Sequence, residues 1–390
     1  MDPWPSVAWK SAFRRRLVAW FRKHGRALPW RDTSDPYAIW VSEIMLQQTQ
    51  VATVIPYYER FLLRFPTVAA LAAADEHDVL RLWEGLGYYR RARQLHAAAK
   101  RIVSDHGGRF PHDVEAARHL PGIGRYTAGA VLSFAFDARE PILEANTLRL
   151  FARLLAFRGD PLAAAGQKLL WSAAEAILPR RSSGVLNQAL IELGSQVCTP
   201  REPHCSRCPV ASLCPTNRDG LQDVVPTRMP KPKIEHVREA SVVVRNRGKV
   251  LLVQRASGER WAGLWDFPRF PLAADGESAV HQELIDSVNR LCKLRIEPRR
   301  LLTTLRHGVT RFRITLECHE ADLAAAATNG RSQESIALSQ ADIAIHEQTN
   351  PFADQRWVPP AKLADYALSV TGRKIARLLS ASGRRRAQAI

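Results

Sequence analysis

The chain has 390 residues, 46% of them hydrophobic, which excludes wholesale disorder and allows two or three domains with real cores. Lys and Arg number 56 against 38 Asp and Glu, and the formal charge of +18 points to a polyanionic partner, nucleic acid ahead of an anionic membrane. No run of about 20 apolar residues exists, so no bilayer-spanning helix is expected, and the basic start (Lys10, Arg14, Arg15, Arg16) leads into no uninterrupted apolar stretch of the secretory kind.

Residues 1–218 read as helical, with helix-period segments rich in Ala, Leu and Arg broken at Pro and Gly. The run Leu28-Pro29-Trp30-Arg31 precedes a helix that starts cleanly at Asp35-Pro36, where Asp caps and Pro suits the first helical position. That helix leads into the segment Trp40-Val41-Ser42-Glu43-Ile44-Met45-Leu46-Gln47-Gln48-Thr49-Gln50-Val51. The neighbours of Glu43 one turn away are Ile39, Trp40, Leu46 and Gln47, three of them large and apolar. A carboxyl in that setting is expected to be desolvated and to hold its proton, although the pattern alone equally fits a Glu at a helix edge. The segment Trp83-Glu84-Gly85-Leu86-Gly87-Tyr88-Tyr89-Arg90 reads as a glycine-flexed turn presenting Tyr88. Arg90, Arg91 and Arg93 after it fit either phosphate contact or a solvated basic face, and a helix ends near Gly107-Gly108.

His119-Leu120-Pro121-Gly122-Ile123-Gly124-Arg125-Tyr126-Thr127-Ala128 has the form of a helix–hairpin–helix. Gly122 and Gly124 let the backbone turn tightly and approach a ligand, and the next helix aims free amide hydrogens at it, a ready phosphate site. Pro141 to Arg149 holds a carboxylate and an amide, Glu144 and Asn146. Four of the six cysteines, Cys198, Cys205, Cys208 and Cys214, fall within 17 residues with the spacing C-x6-C-x2-C-x5-C. In a reducing compartment that clustering favours a metal site, and four thiolates suit either a [4Fe–4S] cluster or tetrahedral zinc.

Residues 219–237 read as a linker, with Pro226, Pro230 and Pro232 among basic residues. After it, Ala240 to Gln254 reads as two strands joined by a turn at Asn246–Gly248, a helix is expected over Glu277–Cys292, and a strand over Arg311–Cys318. Residues 238–370 therefore form a small α+β domain. Residues 321–350 read as loop-like, and residues 371–390 as a disordered basic tail that includes Arg384, Arg385 and Arg386.

Several of these segments resemble one family. The helix Trp40–Val51 is similar, almost letter for letter, to the active-site helix of MutY-type adenine DNA glycosylases, within the endonuclease III superfamily, and Leu28–Arg31 resembles the segment just before that helix. The cysteine spacing and the preceding Asn187 to Gly194 match the superfamily's cluster segment; Trp261–Pro268 and Trp357–Leu368 resemble parts of the family's C-terminal domain. The resemblance covers about residues 8–218 densely and 238–370 loosely. It implies a multidomain chain: an all-α helix–hairpin–helix glycosylase domain with a [4Fe–4S] loop, plus an α+β Nudix-like C-terminal domain that recognises 8-oxoguanine. The implied activity is base-excision repair by a monomer acting on double-stranded DNA, removing adenine mispaired with 8-oxoguanine or guanine, in the cytoplasm at the nucleoid and away from membranes.

The resemblance also implies roles. Glu43 protonates the leaving adenine at N7 and later assists water, while Glu144 stabilises the oxocarbenium sugar with Asn146 positioning it. Gln48 and Tyr88 fill the gap left by the flipped base, and Leu28, Trp30 and Arg31 help form the pocket. The cluster is structural, fixing a basic loop with Arg201 and Arg207 for phosphate contact. Three departures stand out. The family's Asp-Gly-Asn is Glu144-Ala145-Asn146. Its His-x-Phe-Ser-His is His307-Gly308-Val309-Thr310-Arg311, in which Thr310 keeps the hydroxyl that contacts the lesion. The lysine with which strand-cleaving members attack the sugar is Tyr126, and a phenol forms no Schiff base, so a monofunctional enzyme is expected. The Nudix-like helix Ser278–Arg290 carries only Glu283 and Asp286, too few carboxylates for a magnesium cage, so pyrophosphatase activity is not expected. Two rival readings are an endonuclease III-like glycosylase–lyase for oxidised pyrimidines and a DNA-binding iron–sulfur or zinc protein without catalysis. Tyr126 and the C-terminal domain oppose the first; Glu43 and Glu144 oppose the second.

Overall fold

A computed structural model describes residues 2–227, 233–324 and 352–387, with side chains described as far as residue 380. The chain divides into two compact units, one formed by Met1–Ala74 and Arg91–Lys231, the other by Asp75–Arg90 and Pro232–Ile390. The helical half runs α1 Val7–His24, α2 Pro36–Leu46, α3 Val51–Arg64, α4 Val68–Ala72, α5 Glu76–Trp83, α6 Arg90–His106, α7 Val114–Arg118, α8 Arg125–Phe136, α9 Ala145–Leu154, α10 Ala164–Ile177, α11 Ser183–Gln196 and α12 Pro215–Arg218. Of these, α5 and the loop after it belong to the second unit, although the helices on either side of them in sequence belong to the first.

In the first unit α2 starts where Asp35 accepts the amide hydrogens of Tyr37 and Ala38, with Pro36 in the first turn. Every residue from Tyr37 to Met45 is buried. The same holds for Thr127 to Ser133 of α8, which packs against α2. Helices apolar on all sides lie at the centre of a domain, and these two form that centre. A second cluster, with Phe13, Leu17, Phe151, Leu170, Leu186 and Leu193, joins α1, α9, α10 and α11. Part of the expected linker belongs to it. Val225 is fully buried there, because its apolar side chain is worth about 1.5–3 kcal/mol when removed from water.

The second unit is built on a sheet of β1 Glu235–Asn246, β2 Lys249–Arg255, β3 Trp265–Asp266, β4 Arg269–Pro271, β5 Ile296–Val309, β6 Phe312–Leu323 and β7 Phe352–Val358. The order is β3-β2-β1-β6-β5, with β4 also on β1, β7 also on β2, and β1 parallel to β6. The hairpin β1–β2 turns through Arg247 and Gly248, both at positive φ, the backbone that suits a two-residue hairpin loop. Alternation along β1 sends Val242 and Val244 to one face and Val243 to the other. The helix α13, Glu277–Cys292, covers the first face with Leu284 and Val288. The helix α14, Val370–Ala387, covers the second with Ile375 and Leu379. The stretch read as a disordered basic tail is thus helical as far as Ala387. An apolar stripe at helical spacing, Ile375, Ala376 and Leu379, docks on the sheet and outweighs the basic composition. The loop-like reading of residues 321–350 is corrected for Ala321–Leu323, which end β6, while residues 325–351 lie outside the described residues.

Candidate active site

The first unit contains a cavity of about 460 Å³ whose lining includes Glu43 and Leu46 of α2, Tyr126 of α8, Glu144 and Asn146 at the start of α9, and Gln188 and Ile191 of α11. Leu28, Trp30, Arg31 and Gln48 also line it. The structure thus brings eight of the twelve sequence-derived catalytic and DNA-contacting residues to one place.

Glu43 is 5% exposed, and its Oε2 accepts a hydrogen bond of 2.8 Å from the Tyr126 hydroxyl. Burial pushes its carboxyl up to about 7; the Tyr126 hydrogen bond pulls it down, the negative charge of Glu144 pushes it up and the Arg31 guanidinium pulls it down. Burial is the first cause of that shift; Ile39 and Leu46 line the same cavity as Glu43, whereas Trp40 is buried but faces a different one. The Tyr126 phenol is itself raised well above its usual range by burial and by the two carboxylates, so it stays a neutral donor. No lysine lines the cavity among the described residues.

Glu144 caps α9. Its Oε1 accepts the Thr147 amide at 3.0 Å, its Oε2 accepts the Asn146 amide at 2.8 Å and the Asn146 Nδ2 at 3.2 Å, and its own amide donates to Thr147 Oγ1 at 2.8 Å. Burial raises its carboxyl above the ordinary value against the pull of those amides. The positive end of α9 faces the carboxylate and favours its ionised form. Ala145, where the related family has glycine, is not among the residues at positive φ and so needs no glycine. Asn146 Oδ1 accepts from Arg149 Nη2 at 2.9 Å, and that nitrogen also donates to Gly194 O at 2.8 Å.

Two charged devices support the site. Glu192, fully buried, receives Arg26 Nε at 2.8 Å, Arg26 Nη2 at 2.9 Å and Arg31 Nη2 at 2.8 Å. Burial alone would raise this carboxyl, but the two guanidinium groups outweigh it and hold it below its usual range. Arg31 therefore braces the cavity wall through an ion pair. Arg91, read from sequence as a phosphate contact or a solvated residue, is buried instead. Its Nη1 donates to Ile44 O at 2.9 Å, Met45 O at 3.1 Å and Gln47 O, and its Nη2 to Thr49 Oγ1 at 3.2 Å. It caps the carbonyl end of α2, because orphan carbonyls at a buried helix end require donors.

Sequence reasoning missed Arg26, Gln188, Ile191, Glu192 and Ser195. A signal was present: Gln188, Ile191, Glu192 and Ser195 follow i, i+3, i+4, i+7 spacing and share one face of α11. Just beyond α2, Gln48 is exposed at a φ of 56° beside the cavity. In the helix–hairpin–helix only Gly122 has positive φ, at 75°, and a Cβ there would lie 2.7 Å from Gln94 Cβ. Gly124 is extended and caps α8 with open space around it, so its glycine serves approach to the helix N-terminus rather than the turn.

Cys198, Cys205, Cys208 and Cys214 line one small apolar cavity and none is in a disulfide. Burial pushes the Cys208 thiol up to about 12 and raises that of Cys214, with the other cysteines contributing. Arg153 Nη1 lies 3.3 Å from Cys198 Sγ and Gln222 Nε2 lies 3.7 Å from Cys205 Sγ, so donors already face the sulfurs. Among the described residues no group of three or more His, Cys, Asp or Glu side chains is placed to hold a metal ion; the four thiols line one cavity. An all-sulfur donor set around an apolar void fits an iron–sulfur cluster. Arg201 and Arg207 on this loop are exposed.

In the second unit Tyr88 is 49% exposed at a φ of 50°. Thr310 and Arg311 form the turn between β5 and β6; the Thr310 hydroxyl donates to Val309 O at 2.7 Å, and Arg311 pairs with Glu235 at 3.1 Å. The neutral form of His307 is favoured, its imidazole lowered to about 4 by burial and by Arg269. Arg269 also lies over the Trp261 ring at 4.4 Å. Glu283, which with Glu277 and Asp286 makes up the acidic residues of α13, accepts the amides of Ala273 and Ala274, and so serves its own loop.

Residues 41–176 match the family model described as HhH-GPD superfamily base excision DNA repair protein, and residues 240–378 match that of a NUDIX domain. A thermostable thymine-DNA glycosylase of known structure is 28% identical, with a TM-score of 0.50 over 54% of this chain and 98% of its own. The chain is 37% identical to the adenine DNA glycosylase of Mus musculus over 73% of its own length, spanning 65% of that relative, just under two thirds. It is 35% identical to the adenine DNA glycosylase of Buchnera aphidicola from Schizaphis graminum, over 66% of this chain and 75% of the relative. With a helical fold, a paired-carboxylate cavity and both domain matches in agreement, the chain belongs to the adenine DNA glycosylase family.

Proposed function

We propose that this protein is a monofunctional adenine DNA glycosylase of base-excision repair that hydrolyses the N-glycosidic bond of adenine opposite 8-oxoguanine or guanine in duplex DNA. The observation that carries the reading is Glu43, a buried carboxyl raised to about 7 on the wall of a cavity that also holds a second carboxylate. An adenine anion leaves poorly, so the base must be protonated; a carboxyl titrating near neutrality is matched to that task. Glu43 donates its proton to N7, and Tyr126 orients the carboxyl. Glu144, pinned on the α9 N-terminus by Asn146 and Thr147, presents negative charge to the developing oxocarbenium. Tyr126 occupies the place of the lyase nucleophile and supplies no amine.

The base reaches the cavity by flipping, with Gln48 and Tyr88 filling its place in the stack, Leu28, Trp30 and Arg31 shaping the pocket, and the Gly122–Gly124 hairpin holding phosphate. The turn with Thr310 reads the base opposite. The four cysteines hold a [4Fe–4S] cluster, which supplies cross-linking of the Arg201–Arg207 loop rather than chemistry at the sugar. The working form is a monomer on double-stranded DNA in the cytoplasm at the nucleoid.

Single-turnover cleavage of duplexes with A·8-oxoguanine, A·G and thymine glycol tests this. Excision of adenine from the first two, with strand breakage only after alkali and a rate lower by a factor of about 100 or more for Glu43→Gln, is expected. Excision of thymine glycol, or equal rates for the two proteins, refutes it. Metal analysis should find about four irons per chain rather than one zinc.

A further inference from the structure

The loop Glu84–Tyr89 is shaped to present one aromatic ring. Gly85, Gly87 and Tyr88 have φ of 103°, 73° and 50°. Trp83 Nε1 donates to Gly87 O at 3.2 Å and the Gly85 amide to the Tyr89 hydroxyl at 3.3 Å. Leu86 and Tyr89 are buried while Tyr88 stands half exposed between them.

The loop is gripped at its first residue by the C-terminal helix. Arg373 of α14 donates from Nε to Glu84 Oε1 at 2.6 Å and from Nη2 to Glu84 Oε2 at 2.8 Å, and the Leu368 amide also reaches Oε2 at 3.3 Å. The guanidinium is fixed from behind by Leu363 O at 2.8 Å and Tyr366 O at 2.6 Å. Both side chains are largely buried, at 18% and 16% exposure. A bidentate pair of this kind sets direction as well as distance. A second contact lies one helix earlier, where His77 Nε2 is 2.8 Å from Asp365 O.

We propose that Arg373 is a positioning residue for base extrusion: its pair with Glu84 fixes the loop whose Tyr88 enters the duplex. A residue near the C-terminal end of the chain thereby governs a DNA-contacting loop that is encoded within the helical half. The proposal rests on reading Tyr88 as the gap-filling residue. It assigns α14 a task beyond covering the sheet.

The test uses the full chain and a duplex with 2-aminopurine opposite guanine, whose fluorescence rises on unstacking. Arg373→Ala and Tyr88→Ala should each weaken formation of the bright complex about tenfold, and the double variant should be no worse than Tyr88→Ala alone. Arg373→Lys, which lacks the planar fork, should recover only part. If Arg373→Ala does not fold, Glu84→Gln, of the same shape, carries the comparison. Wild-type behaviour of Arg373→Ala, or of Glu84→Gln in its place, overturns the proposal, as do losses that multiply in the double variant. If Tyr88→Ala alone leaves the bright complex intact, the gap-filling reading falls with it; a damaged Tyr88→Ala beside an intact Arg373→Ala removes only the positioning role.

Discussion

Replacing Glu43 by Gln should make the protein more stable at alkaline pH while greatly slowing its chemistry. The folded carboxyl titrates at about 7 against an ordinary value of 4.5. The unfolded chain therefore releases this proton first, and between these values it binds fewer protons than the native state. Native stability falls as pH rises through that window and levels off above about 7. At about 1.36 kcal/mol per pKa unit, the ionised carboxylate costs about 3 kcal/mol at pH 8. Gln keeps the shape and accepts the Tyr126 hydroxyl, but carries no proton to lose. Urea unfolding of both proteins, followed by tryptophan fluorescence from pH 4.5 to 8, isolates the effect, since every other titrating group is shared. The stability of Glu43→Gln relative to wild type should climb by about 3 kcal/mol across the series. The wild-type excision rate should fall with pH above about 7, and the variant should lose a factor of about 100 or more. A stability difference that stays flat with pH would show that Glu43 is not held protonated, and the acid role would go with it.

Tyr126→Phe removes a hydrogen bond that lowers the Glu43 carboxyl, so the alkaline limb of the rate profile should move to higher pH, as single-turnover rates would show. Arg91→Ala leaves buried carbonyls at the end of α2 without their donor; a loss of about 2–4 kcal/mol is expected in urea unfolding, with little rescue by Lys. Gly194→Ala would place a Cβ 2.8 Å from Asn146 Cβ and 3.0 Å from Asn146 O. It should cost about 1–3 kcal/mol by overpacking and slow excision by shifting the residue that holds Glu144, whereas a change in stability without a change in rate would remove Asn146 from the site.

What the sequence made legible depended on how local the physics is. That Glu43 would be buried was legible from the apolar residues around it on its own helix, although α8, α9 and α11 complete its surroundings, and the β1–β2 hairpin was legible from two residues of turn chemistry. Glu144 was legible as a charge but not as a cap, because capping depends on where α9 begins. Arg91 was misread because its acceptors lie at the end of another helix, and a basic residue in a basic run gives no sign of which helix end it will meet. The α14 helix was hidden by composition: three arginines masked the Ile375–Leu379 stripe. The α11 face was missed for the opposite reason, since attention to the cysteines that follow obscured a polar spacing already complete before them.

The cysteine loop is physically joined to the second carboxylate through α9. Asn146 holds Glu144 and is held by Arg149, whose Nε donates to Cys198 O at 2.8 Å. One turn further along α9, Arg153 donates to Cys198 Sγ at 3.3 Å and to Thr199 O at 2.8 Å. Two cations buried against a set of thiols gain most when the sulfurs are thiolates, the form an iron–sulfur cluster requires. Order in the cysteine loop is therefore passed to Arg149, and through Arg149 to the amide that holds Glu144. If Glu144 acts as proposed, by position rather than by proton transfer, it depends on such bracing, because a carboxylate's attraction for a cation weakens directly with distance.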